Sequence, residues 1–205
     1  MIKIGILVSG NGTNLQAIID AVKAGKIDGK INIVISDNPK AYALKRAAQS
    51  NIPTHIINYK EFKGREEYDK KIITILKEKE IDLIVLAGYM KIITPQLINA
   101  FKNRIINIHP ALLPSFPGLH GQRKAVDYGV KISGCTVHFV DEGVDSGPII
   151  LQRAVEVKDY DSEESLSQRV LKEEHKAFPK AIQLFAQGRL TIKGRKVFIK
   201  EGKIK

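Results

Sequence analysis

The residues best suited to chemistry are Asn107 and His109, in the run Ile105-Ile106-Asn107-Ile108-His109-Pro110. The run is apolar and β-type, and on an extended chain residues two apart point to the same face. A carboxamide and an imidazole therefore emerge side by side. Pro110 cannot donate a ladder hydrogen bond, so the strand is expected to end there. Both polar groups then sit at the carboxyl end of a strand, where open α/β sheets bind ligands. The pair suits acyl-type transfer. An Asn amide donates to a developing oxyanion, and a neighbouring His stabilises the same charge or relays a proton. The competing reading is an Asn and a His that only cap a strand and satisfy loop backbone.

Two other stretches carry chemistry-bearing residues. Ser9-Gly10-Asn11-Gly12-Thr13-Asn14 is a polar turn between an apolar strand and a helical pattern. Its glycines allow close backbone approach. The amides of Gly12, Thr13 and Asn14 would lie at a helix N-terminus, a site for phosphate. The rival is a dinucleotide fingerprint, with Asp37 as the ribose acid; Leu15 stands where that pattern needs its third glycine. No Gly-Lys-Ser/Thr follows, so a Walker-type loop is excluded. The second stretch is the acidic loop 140–148. Its Asp145 is either an ordinary hairpin-turn residue or a carboxylate that favours the His109 imidazolium and fixes its ring. His138 alternates with Val137 and Phe139 and so faces away from them, toward the candidate site. His55 reads as structural, and His175 follows Glu173 and Glu174. No histidine has metal-ligand spacing, so no metal is expected in the chemistry.

Alternating strand and helix patterns must position these residues. Strands are expected over residues 2–8, 31–35, 54–57, 82–87 and the central run. Helices are expected over 15–24, 41–49, 65–79 and 95–101. The alternation argues an α/β, Rossmann-like, mostly parallel sheet with helices on both faces. After a helix over 121–128, strands at 134–140 and 148–157 indicate an antiparallel addition in the C-terminal half. A long helix spans 162–187, with Pro179 expected to kink or interrupt it. The expected organisation is a single domain over 1–205. It comprises a phosphate-binding half (1–101), a catalytic half (102–188) and a terminal hairpin (189–205).

The composition narrows the class of protein. Hydrophobic residues make up 43% of 205, ample for a core, and no apolar run reaches the ~20 residues of a membrane span. Cys135 is the single cysteine, which excludes an internal disulfide and a multi-cysteine metal site. The opening residues enter a strand directly with no signal peptide, so a cytoplasmic protein is expected. The net charge is +11, with lysines spread along the chain and no aromatic interleaving. That fits anionic small molecules on a lysine-rich surface rather than a nucleic-acid groove; no membrane partner is expected.

Taken together, the motifs resemble the folate-dependent phosphoribosylglycinamide formyltransferases. The matching runs are Val8-Ser9-Gly10-Asn11-Gly12-Thr13-Asn14-Leu15-Gln16, Leu86-Ala87-Gly88-Tyr89-Met90, Asn107-Ile108-His109-Pro110, Leu112-Leu113-Pro114, Pro117-Gly118-Leu119-His120, and Val137-His138-Phe139-Val140 through Asp145-Ser146-Gly147-Pro148. The resemblance covers residues 2–190 and implies the formyltransferase fold. It implies formyl transfer from 10-formyltetrahydrofolate, a cosubstrate, to the amine of glycinamide ribonucleotide in purine synthesis. It places the catalytic residues at Asn107, His109 and Asp145, with His109 protonated and held so by Asp145. It puts the nucleotide phosphate on Gly12, Thr13 and Asn14, and the glycinamide end on Glu174. The folate contacts fall on Arg65, Met90, Lys91, Ile92, Ile93, Asn107, Asp141, Glu142, Gly143 and Val144. Lys91 stands where an Arg is also common. The resemblance further implies small-molecule substrates and a monomer or homodimer. Formyltetrahydrofolate hydrolase or another amine formyltransferase is the near alternative, and a nucleotide-binding module the distant one.

Overall fold

In the computed structural model, residues 1–201 are described. The chain folds as two compact units, one over Met1–Asn107 and one from Ile108 onward.

The first unit is built on five parallel strands. These are β1 (Ile2–Val8), β2 (Gly29–Ser36), β3 (Thr54–Ile56), β4 (Leu83–Leu86) and β5 (Ile105–His109), in the order β3-β2-β1-β4-β5. β5 carries the chain across the boundary into the second unit. Ile4, Ile6 and Leu7 on β1 and all of Leu83, Ile84 and Val85 on β4 are fully buried. Strands covered on both faces read as unbroken apolar runs, and these do. The helices are α1 (Thr13–Lys23), α2 (Tyr42–Gln49), α3 (Arg65–Glu78) and α4 (Pro95–Ala100), with a single 3₁₀ turn at Tyr59–Glu61. The chain steps outward from β1 to β3, then returns past β1 to β4. Right-handed crossovers therefore put α1 and α2 on one face and α3 and α4 on the other. The reversal lies between β1 and β4, and the loops leaving those two strands form the site expected to take ligand.

The helices start close to where periodicity puts them. α1 begins two residues earlier than its apolar pattern indicates, because Gly12 takes a left-handed conformation (φ 75°) and turns the chain into the helix at Thr13.

The second unit holds α5 (Gly121–Tyr128), β6 (Ile132–Phe139), β7 (Ile149–Glu156), α6 (Glu163–Ala186), β8 (Leu190–Lys193) and β9 (Lys196–Ile199). β6 and β7 pair antiparallel, β9 joins β7 in parallel through Ile149 and Lys196, and β8 pairs antiparallel with β9. The antiparallel addition is therefore present, and so is the terminal hairpin; the last four residues of its expected range lie outside the described residues. α6 opens on a capping box between Ser162 and Ser165. It runs through Pro179 without interruption, contrary to the sequence expectation. Ala177, Phe178, Ala181 and Ile182 are buried on both sides of the proline. Their packing outweighs an interior-proline cost of about 3 kcal/mol. Among the described residues, no helix is long and apolar enough to cross a membrane.

Candidate active site

In the first unit, the polar turn after β1 is built from backbone. Gly12 is the N-cap of α1, so the amides of Gly12, Thr13 and Asn14 lie at the positive end of an 11-residue helix. Gly12 packs so closely on α2 that a Cβ there would stand 2.6 Å from Ala43 Cβ. The Ala43 amide donates to the Gly10 carbonyl (3.1 Å). Arg46 clamps the turn from outside, its Nε and Nη2 each donating 2.9 Å bonds to the carbonyl and side-chain oxygens of Asn11. Sequence reasoning missed Arg46, which is an isolated arginine on a helix with no motif around it. The turn also reaches the segment after β4, where Ser9 Oγ accepts the Met90 amide at 2.9 Å. Met90 and Ile92 are exposed, whereas Ile93 is buried. Lys91 pairs with Asp37 (3.8 Å) and lies over the Tyr59 ring (4.8 Å). The acid that a dinucleotide reading would assign to a ribose is thus engaged by a lysine.

In the second unit, a buried cluster surrounds His109, which is 3% exposed. Its Nδ1 lies 3.1 Å from Asp145 Oδ2. Its Nε2 lies 2.8 Å from the Phe116 carbonyl, and since a carbonyl only accepts, Nε2 carries a proton there. Asp145 Oδ2 also accepts the Gly118 amide (2.8 Å), and its Oδ1 lies 3.6 Å from His138 Nε2. His138 Nδ1 faces the Phe139 carbonyl at 2.9 Å. One carboxylate therefore sits between two buried histidines. The register shift between Val137 and His138 helps aim the second ring, as strand irregularities do near sites. The backbone is strained here: Phe116 (φ 54°), His120 (φ 61°) and Asp145 (φ 51°) are all left-handed without being glycine. Asn107 lies two residues before His109 on β5, half-buried, and strand alternation puts the two on one face.

Burial is the largest influence on His109 and holds its pKa below 6.5, although Asp145 and the Phe116 carbonyl pull upward. Asp145 therefore pulls the ring toward its charged form, as the sequence reading expects, while burial opposes it. Burial also acts to raise Asp145. Contacts from His138, the Gly118 amide and His109 outweigh it and hold the carboxyl below 3.8. The two ring nitrogens both face acceptors, the Asp145 carboxylate and the Phe116 carbonyl, an arrangement in which the imidazolium fills both bonds against the cost of burial. The Asp145 carboxylate stabilises a proton on Nδ1. Cys135 is no competitor, since burial and the nearby Glu174 push its thiol up to about 12.

Comparison with known proteins decides the family. Residues 2–182 match the family model for formyl transferase. The chain belongs to the formyl transferase family. It is 44% identical to the phosphoribosylglycinamide formyltransferase of Escherichia coli, covering 91% of this chain and 88% of that protein. It is 46% identical to the trifunctional purine biosynthetic protein adenosine-3 of Drosophila melanogaster over 93% of this chain, and spans 14% of that relative's length. The solved structure of glycinamide ribonucleotide transformylase 1 from Symbiobacterium toebii superimposes with a TM-score of 0.97 at 50% identity, covering 98% of this chain and 95% of that one.

Within this formyl transferase, the remaining expected residues fall as follows. Glu174 is buried on α6 at 6% exposure, deep placement for a carboxylate. Arg65 opens α3 and is exposed. Glu142, Gly143 and Val144 are exposed on the loop that leads to Asp145, and Asp141 ties that loop together by accepting from the Ser146 hydroxyl (2.5 Å) and the Gly143 amide (3.2 Å). Thr136, fully buried, was also missed. Its hydroxyl donates to the Ala111 carbonyl (2.7 Å) and accepts the Leu113 amide (3.0 Å), pinning the segment that follows His109. A threonine in a strand carries no local sign of such a role. Among the described residues, no group of three or more His, Cys, Asp or Glu is placed to hold a metal ion.

Proposed function

We propose that this chain transfers the formyl group of 10-formyltetrahydrofolate to the primary amine of glycinamide ribonucleotide, giving formylglycinamide ribonucleotide and tetrahydrofolate, a step of purine synthesis. The observation that carries the reading is the His109–Asp145 pair, two residues beyond Asn107, in a chain 44% identical to the E. coli phosphoribosylglycinamide formyltransferase.

The amine nitrogen attacks the formyl carbon and its carbonyl becomes an oxyanion. Asn107 donates its carboxamide N–H to that oxygen. Protonated His109, held toward Asp145, stabilises the same oxyanion, and the proton that the attacking nitrogen loses passes to the leaving folate nitrogen with Asp145 organising the transfer. The bond from the formyl carbon to the folate nitrogen then breaks, and that nitrogen takes a proton as it leaves. Gly12, Thr13 and Asn14 bind the nucleotide phosphate through amides and the helix end, and Glu174 holds the glycinamide end. Arg65, the residues Met90, Lys91, Ile92 and Ile93, Asn107, and the loop residues Asp141, Glu142, Gly143 and Val144 bind the folate. The enzyme works on small molecules in the cytoplasm, as a monomer or homodimer.

Formyl-folate consumption, followed by absorbance with and without glycinamide ribonucleotide, tests this. Consumption that requires the nucleotide is expected. Consumption in its absence would make the chain a hydrolase, and none in either case would leave a binding module.

A further inference from the structure

The C-terminal hairpin extends the sheet beyond β7 and takes no part in the chemistry above. Yet its turn, at Gly194 and Arg195, reaches the catalytic loop. Arg195 Nη2 donates a 2.7 Å hydrogen bond to the carbonyl of Ser146, the residue after Asp145 and 49 positions earlier in the chain. The contact has a fixed register, because Lys196 pairs with Ile149 where β7 leaves that loop. The arginine is exposed, so the bond is not there to satisfy a buried guanidinium.

The loop it reaches needs holding. Asp145 occupies a left-handed conformation (φ 51°), which is strained for a residue other than glycine. Such a residue relaxes unless its surroundings over-determine it. Beside the contacts of Asp145 itself, three further ties among the described residues act on this loop. The Phe139 amide donates to the Pro148 carbonyl (2.9 Å) and closes its neck. Asp141 accepts from Ser146 Oγ and from the Gly143 amide and gathers its turn. Arg195 holds the Ser146–Gly147 peptide, one peptide unit beyond that of Asp145. That tie fixes the chain one peptide beyond Asp145, so releasing it frees Ser146 to turn and lets the Asp145 side chain shift off His109 and the Gly118 amide.

We infer that Arg195 is a positioning residue for the reaction, and that the C-terminal hairpin is a brace that keeps Asp145 aimed at His109. The inference rests on the reading of His109 and Asp145 as the proton-handling pair.

The test compares wild type with Arg195→Ala and Arg195→Lys by steady-state kinetics, and by amide hydrogen exchange over residues 141–147. Arg195→Ala is expected to lower kcat about three- to ten-fold, the scale of one lost hydrogen bond. The KM for glycinamide ribonucleotide and the melting temperature should stay unchanged. Exchange in 141–147 should quicken while α6 keeps its protection, and Arg195→Lys, which keeps a cationic donor, should restore most of both. A kcat and loop exchange at wild-type level in Arg195→Ala would overturn the assignment, as would a kcat loss that Arg195→Lys does not repair. His109→Ala is run alongside. Full turnover in that variant would bring down the functional reading, whereas an inactive His109→Ala beside an unaffected Arg195→Ala would bring down only the brace.

Discussion

Each unit of the molecule draws an aspartate wholly or partly out of water, and the two are treated in opposite ways. Asp69, on α3 of the first unit, is 2% exposed and accepts the Thr94 amide at 2.6 Å. Burial is the largest influence, the bonds from Thr94 do not offset it, and the carboxyl is held above 3.8. Asp145 in the second unit is part-buried, and burial raises it too, but two histidines and the Gly118 amide hold it below 3.8. The difference lies in the partners. A single capped amide and hydroxyl suit a carboxyl that joins α3 to the start of α4. A carboxylate kept ionised between two imidazoles suits one that must receive charge from a reaction. Depth of burial alone therefore does not mark a functional acid.

The sharpest way to break this comparison is to neutralise each carboxylate in turn. Asp145→Asn should lower kcat by ~10²–10⁴, the range for losing a charged partner of a catalytic histidine or an organised transition-state group. Asp69→Asn keeps an acceptor for Thr94 and removes a costly buried charge, so kcat should stay within about two-fold and the fold should be no less stable. Steady-state kinetics and thermal melts on the two purified variants check this. Equal losses of kcat would mean that the contrast in partners carries no functional weight.

A finer cut separates the partners of Asp145. His138 is the largest influence opposing burial in holding that carboxyl down. His138→Asn cannot carry a charge, so Asp145 should titrate at higher pH and kcat should fall roughly ten-fold, less than for Asp145→Asn, because His109 and the Gly118 amide remain. A loss as deep as that of Asp145→Asn would make His138, rather than His109, the principal proton-handling group.

These contrasts show how much of the site was legible in the chain itself. Asn107 and His109 could be read together because strand alternation is a local rule, and the phosphate turn because glycines before an apolar helix are a local sign. Asp145 could only be suspected, since Asp and Gly are what any hairpin turn contains. Its meaning comes from His109, which lies 36 positions earlier and meets it only in the fold. The Phe116 carbonyl and the Gly118 amide complete the cluster through backbone, which leaves no trace in residue type. Arg46, Thr136 and Arg195 act on distant peptide groups for the same reason. The fold was more legible, because buried parallel strands are apolar throughout. The continuity of α6 was not, because burial on both sides of Pro179 is a tertiary fact that overrides a local rule.

The smallest expected effect separates the aspartates by pH. Asp145 and His109 both have depressed pKa values in the folded state. Between each folded value and its unfolded one, the unfolded chain binds more protons, so stability rises with pH there. Their contributions are present above about 6.5 for His109 and above about 3.9 for Asp145, and are lost as pH falls through the folded values. Asp69 runs the other way. Its raised pKa means the folded chain binds the extra proton, so its contribution is complete below the unfolded value and is lost as pH rises through the folded one. Urea unfolding from pH 7 down to pH 4 should therefore show Asp69→Asn more stable than wild type at pH 7, with the advantage shrinking on acidification. Asp145→Asn should be less stable at pH 7. Its deficit should persist to about pH 4 and close only below that, as the wild-type carboxylate at last takes up its proton. A pH-independent difference for Asp69→Asn would mean that its carboxyl titrates as in the unfolded chain. The two aspartates would then differ in degree and not in sign.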